Sequence, residues 1–297
     1  MIVYCADTSN SWVLSLMKVY CAEMSQIHEV FNNSIPLKDN MKIYTASTGG
    51  LEHTMKVYCA EGRDTDLIIN KVKIPKFNIL FSFYASQDVP KYMKFAKNIL
   101  VDSGAFSLQK RTKLTQHEAD KYFKSYCKFI EENHENPVIQ GFFELDIPEQ
   151  IGYDQVKKYR EELFEITSKI IPVWHKEYGV NEFKKLTYDY DYISVSCVKH
   201  RSIKKEAYPK YVRYSHNNNC KIHGLGLLQE KILNKVPFDS VDGTSWFKMA
   251  RFGRKNGKKI NSDYIYNNQY ELTFAELMEH IKFQEKMYRK WKWYHND

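Results

Sequence analysis

The polar residues that could do chemistry follow short apolar runs. Asp102 follows Val101, Asp146 follows Leu145 and His175 comes just after Val173 and Trp174. His223 and Gly224 interrupt the run that begins at Lys221, and Asp242 follows Val241, with a second carboxylate, Asp239, three residues earlier. A lone carboxylate at a strand end is more often a helix N-cap or a turn residue than a catalyst. Three carboxylates converging with a histidine are another matter: that is the equipment for glycosidic chemistry, in which one group attacks or stabilises the anomeric carbon and another handles the proton of the leaving base.

Convergence requires elements that bring distant residues to one place. From residue 78 onward, apolar runs alternate with amphipathic stretches, the pattern of strand and helix units around a parallel sheet. The strand candidates are 78–83, 98–101, 138–145, 169–173, 192–195, 221–225 and 240–241. A capping box from Thr115 to Glu118 opens a helix carrying Tyr122, Phe123, Tyr126, Phe129 and Ile130 at helical spacing. Further helices fit 153–168, 181–186, 227–234 and 273–291. The last has Phe274, Leu277, Met278, Ile281, Tyr288 and Trp291 on one face, interrupted by Gln284. The expected fold is a single-domain α/β protein, a (β/α)8 TIM-type barrel over residues 61–297, whose strands all end on one face. Residues 1–60 hold four near-repeats, MIVYCA, MKVYCA, MKIYTA and MKVYCA, that alternate as short strands would and belong to the barrel or are appended to it.

Composition narrows the class. An aromatic content of 15%, with 22 Tyr and 17 Phe, argues for a folded chain rather than a disordered one. No run approaches the ~18 apolar residues of a membrane span, and no charged stretch precedes a long apolar segment at the N-terminus, so a cytoplasmic protein is expected. Cys5, Cys21, Cys59, Cys127, Cys197 and Cys220 form no C-x-x-C pair, which predicts free thiols and no structural metal. The net charge of +8 is partly local: Lys248, Arg251, Arg254, Lys255, Lys258 and Lys259 lie close after Asp242, placed to hold phosphates. A solvated basic face is the plainer reading of such a run.

Three segments carry a family resemblance: Val101-Asp102-Ser103-Gly104-Ala105-Phe106-Ser107, Lys221-Ile222-His223-Gly224-Leu225-Gly226, and Pro237 to Trp246 (PFDSVDGTSW). They resemble the tRNA-guanine transglycosylase superfamily, and more specifically its compact phage branch, the deazapurine DNA transglycosylases. V-D-S-G-A-F is close to the family's D-S-G-G-F motif, and G-x-G followed by two aspartates three apart matches its order and spacing. The resemblance covers roughly residues 78–254. It implies that Asp242, which fits the spacing from Gly226 better than Asp239, is the nucleophile that forms a covalent intermediate at C1′. It implies that Asp102 moves protons to and from the departing and arriving bases. Asp146 would recognise the purine edge, and His175 falls near the family's base-contacting glutamine. The small residues Ser103, Gly104 and Ala105 would let backbone N–H groups approach a flat base, Gly224 and Gly226 are further base-binding candidates, and Phe106 either stacks on that base or is ordinary core.

The chain also departs from the pattern. The tRNA enzymes carry a zinc site of three cysteines and a histidine after the nucleophile, whereas no cysteine follows Cys220 here, so no zinc subdomain is expected. Ser194-Val195-Ser196-Cys197 stands where the family has a glycine pair. The expected activity is therefore exchange of guanine in DNA for a 7-deazaguanine such as preQ0 or a relative, without cofactor or metal. The partners would be DNA and the free base, in a host's cytoplasm if the gene is a phage's. Trp246, Phe247 and the basic stretch from Lys248 to Lys259 are the expected nucleic-acid contacts, with Trp246 as plain core the alternative. Competing readings are the same chemistry on tRNA, a barrel hydrolase of small glycosides or nucleosides, and a catalytically inactive nucleic-acid-binding protein.

Overall fold

The computed structural model describes residues 55–60, 75–85, 89–109, 114–197, 203–243, 254–255, 258–259 and 269–292. The chain divides into two units, Met1–Glu52 and His53–Asp297. The first unit, with the first three near-repeats, lies outside the described residues. The fourth copy belongs to the second unit, where it forms strand β1 (Lys56–Ala60) of the main sheet.

The remaining elements alternate. Strand β2 (Phe77–Ser82) leads through α1 (Val89–Met93) to β3 (Ala96–Asp102), then α2 (Ala105–Gln109) and α3 (Gln116–Asn133). Strand β4 (Ile139–Phe143) is followed by α4 (Pro148–Ile151) and α5 (Tyr153–Ile166), and then by β5 (Ile170–Ile171) and β6 (Val173–Trp174). Next come α6 (Gly179–Asp189), β7 (Tyr192–Ser196), α7 (Tyr208–Asn217), β8 (Lys221–Leu225), α8 (Glu230–Leu233) and β9 (Ser240–Gly243). A two-residue ladder, β10 (Arg254–Lys255) with β11 (Lys258–Lys259), precedes α9 (Gln269–Trp291).

The result is an α/β protein built on a nine-stranded sheet in the order β5-β4-β3-β2-β1-β9-β8-β7-β6. Every neighbouring pair in that sheet is parallel. The two strands at the ends of this order, β5 and β6, are separated in sequence by Pro172 alone. The run 169–173 reads as one strand in sequence, and proline, which has no N–H, interrupts it. The Pro172 carbonyl still accepts from Ser194 N at 2.7 Å, and the Val173 amide donates to the Glu144 carboxylate at 2.5 Å.

Both faces of the sheet are covered, as parallel strands require. On one face Ile79, Phe81, Ile99, Val101 and Phe142 pack against Ala119, Phe123, Tyr126, Phe129 and Ile130 of α3. The Thr115 hydroxyl accepts from Glu118 N at 3.2 Å, and the Glu118 carboxylate accepts from Thr115 N at 2.8 Å, so the capping box starts α3 where the sequence places it. Side chains at the intervening positions, Leu80, Leu100, Phe143, Ile171 and Val173, form a separate cluster on the other face. Gln284 does not weaken the buried side of α9. Its amide accepts from Asn78 N at 3.0 Å and donates to Asn78 O at 3.1 Å, tying α9 to the start of β2.

Cys127, Cys197 and Cys220 are free thiols. Among the described residues no helix is long and apolar enough to cross a membrane.

Candidate active site

Asp102 is the last residue of β3 and shares the face of Leu100. Its Oδ1 accepts from Gly104 N at 3.1 Å. Burial pushes its carboxyl up to about 6, against the Gly104 amide, which favours the ionised form; the charges of Asp242 and Asp146 add to the rise. Asp242 and Asp146 are thus both near enough to Asp102 to raise it, although 140 positions separate Asp102 from Asp242.

Asp242 lies in β9, in register with Tyr58 of β1, and is buried. Its Oδ1 accepts twice, from the Gly226 amide at 2.7 Å and at 3.1 Å from Nε2 of His223, which is completely buried. Oδ2 receives neither bond. The opposite ring nitrogen of His223, Nδ1, meets the Ser240 hydroxyl, which in turn meets the Tyr192 phenol. Tyr192, His223, Ser240 and Asp242 come from β7, β8 and β9, which are neighbours in the sheet, and Gly226 directly follows β8.

Asp146 follows β4 and pairs with His175, Nε2 to Oδ1 at 2.5 Å; both are buried. The His175 ring packs edge-on against Tyr178, which stacks on Tyr153. Beneath this pair Glu144 and Arg160 form a buried two-point ion pair, with Nε to Oε2 at 2.7 Å and the terminal guanidinium nitrogen to Oε1 at 3.1 Å. Gln109 donates to the Asp146 carbonyl at 2.8 Å. Sequence patterning missed Glu144, Arg160, Gln109, Ser240 and Tyr192. Only Glu144 carried a signal, as a carboxylate two residues before Asp146 in F-F-E-L-D.

The other candidates divide. Phe106 is 53% exposed in the first turn of α2, so it is not core. Ser103 is buried with its hydroxyl donating to Glu144 O at 2.8 Å and its carbonyl accepting from the Tyr122 phenol at 2.6 Å, so it ties the scaffold together instead of facing a ligand. Gly104 has φ +83°, and a Cβ there would stand 2.3 Å from Tyr84 Cβ; its missing side chain makes room for Tyr84, while its amide serves Asp102. Gly224 permits contact with Leu227 and Val241, whereas Gly226, at φ +76°, points its amide at Asp242. Asp239 does not join the site. It precedes β9, at the opposite end of the strand from Gly243, and its Oδ2 accepts from Ile222 N at 2.8 Å and pairs with His216 Nε2 at 2.8 Å.

Of the basic stretch, Arg254 and Lys255 pair antiparallel with Lys258 and Lys259. Trp246, Phe247, Lys248 and Arg251 lie outside the described residues. Among the described residues no group of three or more His, Cys, Asp or Glu side chains is arranged to hold a metal ion. The chain matches no protein-family model and no curated protein. The chemistry of the site therefore has to be read from the site itself: an anchored, buried carboxylate, a second carboxyl poised between its two protonation states near neutrality, and a buried Asp–His pair beside them.

Proposed function

We propose that this chain is a base-exchange transglycosylase that replaces guanine in DNA with a 7-deazaguanine such as preQ0 or a relative. The observation that carries the reading is the placement of three carboxylates on parallel strands, Asp102 ending β3, Asp146 following β4 and Asp242 near the end of β9, with Asp242 anchored through Oδ1. Asp242 is anchored through Oδ1, so Oδ2 is the oxygen that attacks C1′. As the new C–O bond forms, the C1′–N9 bond breaks, its electron pair goes to N9, and the departing base takes the proton of Asp102. The arriving base returns a proton to Asp102, its nitrogen attacks C1′, and the bond to Asp242 breaks. The two half-reactions balance without oxidant or metal, because the carboxylates supply both nucleophile and proton. A carboxyl whose pKa lies at about 6 suits both directions of that transfer.

Asp146, held by His175, is the carboxylate proposed to accept N–H groups from the purine edge. Exposed Phe106 is proposed to stack on the base. The four cations of β10 and β11, with Trp246, Lys248 and Arg251, are proposed to contact the nucleic-acid backbone. A small-glycoside hydrolase would need no such basic surface. The scaffold is proposed to be a closed (β/α)8 barrel in which residues 170–174 act as one strand, pairing with β4 through β5 and with β7 through β6. In support, Phe143 of β4 meets the His223 ring of β8 edge-on at 4.8 Å, across what would be the barrel interior.

The test is incorporation of labelled guanine or preQ0 into DNA and, in parallel, tRNA, with the wild type beside Asp242→Ala and Asp102→Ala. Label in DNA alone, lost in both variants, is the expected result. Label in tRNA alone keeps the chemistry and overturns the substrate. Label in neither, with several deazapurines tried and the protein folded, returns the hydrolase and binding readings.

A further inference from the structure

We infer that His223 is a positioning residue for Asp242, its tautomer set by the carboxylate it serves and matched by the hydroxyl groups of Ser240 and Tyr192 behind it; as a statement about catalysis this rests on the transglycosylase reading. The geometry is a continuous line: Tyr192 phenol to Ser240 hydroxyl, Ser240 hydroxyl to His223 Nδ1, and His223 Nε2 to Asp242 Oδ1 at 3.1 Å. An ionised carboxylate only accepts, so Nε2 must carry the proton it shares with Asp242. In a neutral imidazole Nδ1 is then the acceptor and Ser240 must donate to it. The Ser240 oxygen, having given its hydrogen, accepts from Tyr192. Each link fixes the direction of the next, and the line ends on the oxygen that also takes the Gly226 amide.

The consequence is directional. With two donors on Oδ1, the carboxylate cannot rotate about its last bond without breaking both, so Oδ2 is presented in one orientation. His223 is completely buried, with its ring edge-on to Phe143, so it acts on substrate only through Asp242. This separates it from His175, which is paired with the proposed base-recognising Asp146. Loss of His223 should lower turnover and leave affinity for the free base largely intact, because the side chains assigned to the base, Asp146 after β4 and Phe106 in α2, lie elsewhere in the chain.

Two measurements on the full chain decide it. The first is the protonation pattern of the His223 ring nitrogens by long-range proton–nitrogen NMR, in the wild type and in Ser240→Ala and Tyr192→Phe. The expected result is a neutral ring protonated at Nε2 in the wild type and in both variants, with the Nδ1 resonance displaced in Ser240→Ala, where that nitrogen loses its hydrogen bond. A ring protonated at Nδ1, or an imidazolium in the wild type at neutral pH, overturns the inference whether or not the protein exchanges bases. The second is the exchange rate of labelled preQ0 into DNA and tRNA. His223→Phe should lower kcat by about 100-fold with KM for preQ0 changed less than about 3-fold, and His223→Gln, which keeps an N–H donor, should recover about a tenth or more of the lost rate. An unchanged kcat in a folded His223→Phe protein overturns the positioning role. If His223→Phe does not fold, Ser240→Ala carries the kinetic arm, with an expected fall of about 5- to 10-fold in kcat alone and an unchanged kcat overturning the role. A wild type with the expected tautomer and no exchange on either nucleic acid refutes the transglycosylase reading and leaves the geometry of Asp242 standing.

Discussion

The amide of Gly226 donates to Asp242 Oδ1 at 2.7 Å from a backbone conformation, φ +76°, that side chains resist. Space is not the obstacle, since a Cβ at Gly226 would meet nothing within 4 Å. Gly226→Ala should therefore fold with a loss of about 1–2 kcal/mol from backbone strain alone, visible in urea denaturation. If the backbone relaxes to relieve that strain, the amide leaves Asp242, and base exchange should fall by about 10-fold or more. A variant of unchanged stability and rate would show that the left-handed turn is not required.

Asp102 links pH to stability with a definite sign. Its folded-state pKa of about 6 lies above the ordinary value of 3.8, so the native state holds the proton more tightly than the unfolded chain does between those values. The cost of ionising it in the fold is absent below about pH 4, grows as pH rises and is complete above about 6. Asp102→Asn removes that cost and should be more stable than the wild type at pH 7.5 by on the order of 1–2 kcal/mol, a figure reduced for the residue's partial exposure, with little difference at pH 4. The same variant should be inactive. Equal stability at both pH values would refute the upward shift.

Glu144 and Arg160 form a buried ion pair in which each needs the other. Arg160→Ala strands a buried carboxylate that also holds the Val173 amide, and should cost about 3–5 kcal/mol in denaturant titration. Replacing both residues by apolar side chains of similar volume should be much milder than the single change. A double variant as unstable as Arg160→Ala would mean that bridging β4 to β6, not charge pairing, is the dominant role.

Removing the Asp146 charge should act on the free base. Asp146→Asn leaves a shape close to the original and takes away a charged acceptor, so KM for the purine should rise by about 10- to 100-fold. His175→Ala, which only releases Asp146, should do less. Steady-state titration with preQ0 compares the two, and the reverse ranking would make His175 the direct contact.

Phe106 offers the simplest separation of function from stability. Because its ring is exposed, Phe106→Ala should change folding free energy by no more than about 0.5 kcal/mol. Stacking on a base is worth about 1–3 kcal/mol, so nucleic-acid or base affinity should fall by roughly 5- to 150-fold. Unaltered affinity in a binding titration would remove Phe106 from the site.

Much of the scaffold was legible because hydrophobic periodicity reports burial. The run 221–225 is the strand β8 to the residue, and the capping box marked the start of α3. Helix α7, by contrast, was invisible: its buried side is Tyr208, Val212 and Ser215, and a tyrosine and a serine do not read as an apolar stripe. The run 169–173 concealed a break, since an apolar pattern says nothing of the missing proline N–H. In the site, polar residues after strands were readable by position, which placed Asp102, Asp146, His175 and Asp242. Their partners were not. Arg160 sits on a helix that otherwise reads as amphipathic, and Ser240 and Tyr192 have side chains whose role depends on which strands become neighbours. Asp239, the weaker of the two candidates in sequence, precedes β9 and pairs with His216, at the end of the strand away from Asp242.

Strand β9 takes its place between β8 and β1, and β1 was synthesised some 180 residues before it. The proposed nucleophile is thus fastened on one side by the earliest described strand and on the other by one of the latest. Long-range pairings of this kind are slow to form and come after local ones. A ribosome-bound chain that has extended only to Val236 contains both Asp102 and Asp146, yet it lacks Asp242, the proposed nucleophile. The proposed nucleophile is therefore placed only when β9 completes the nine-stranded sheet, with helix α9 still to be made.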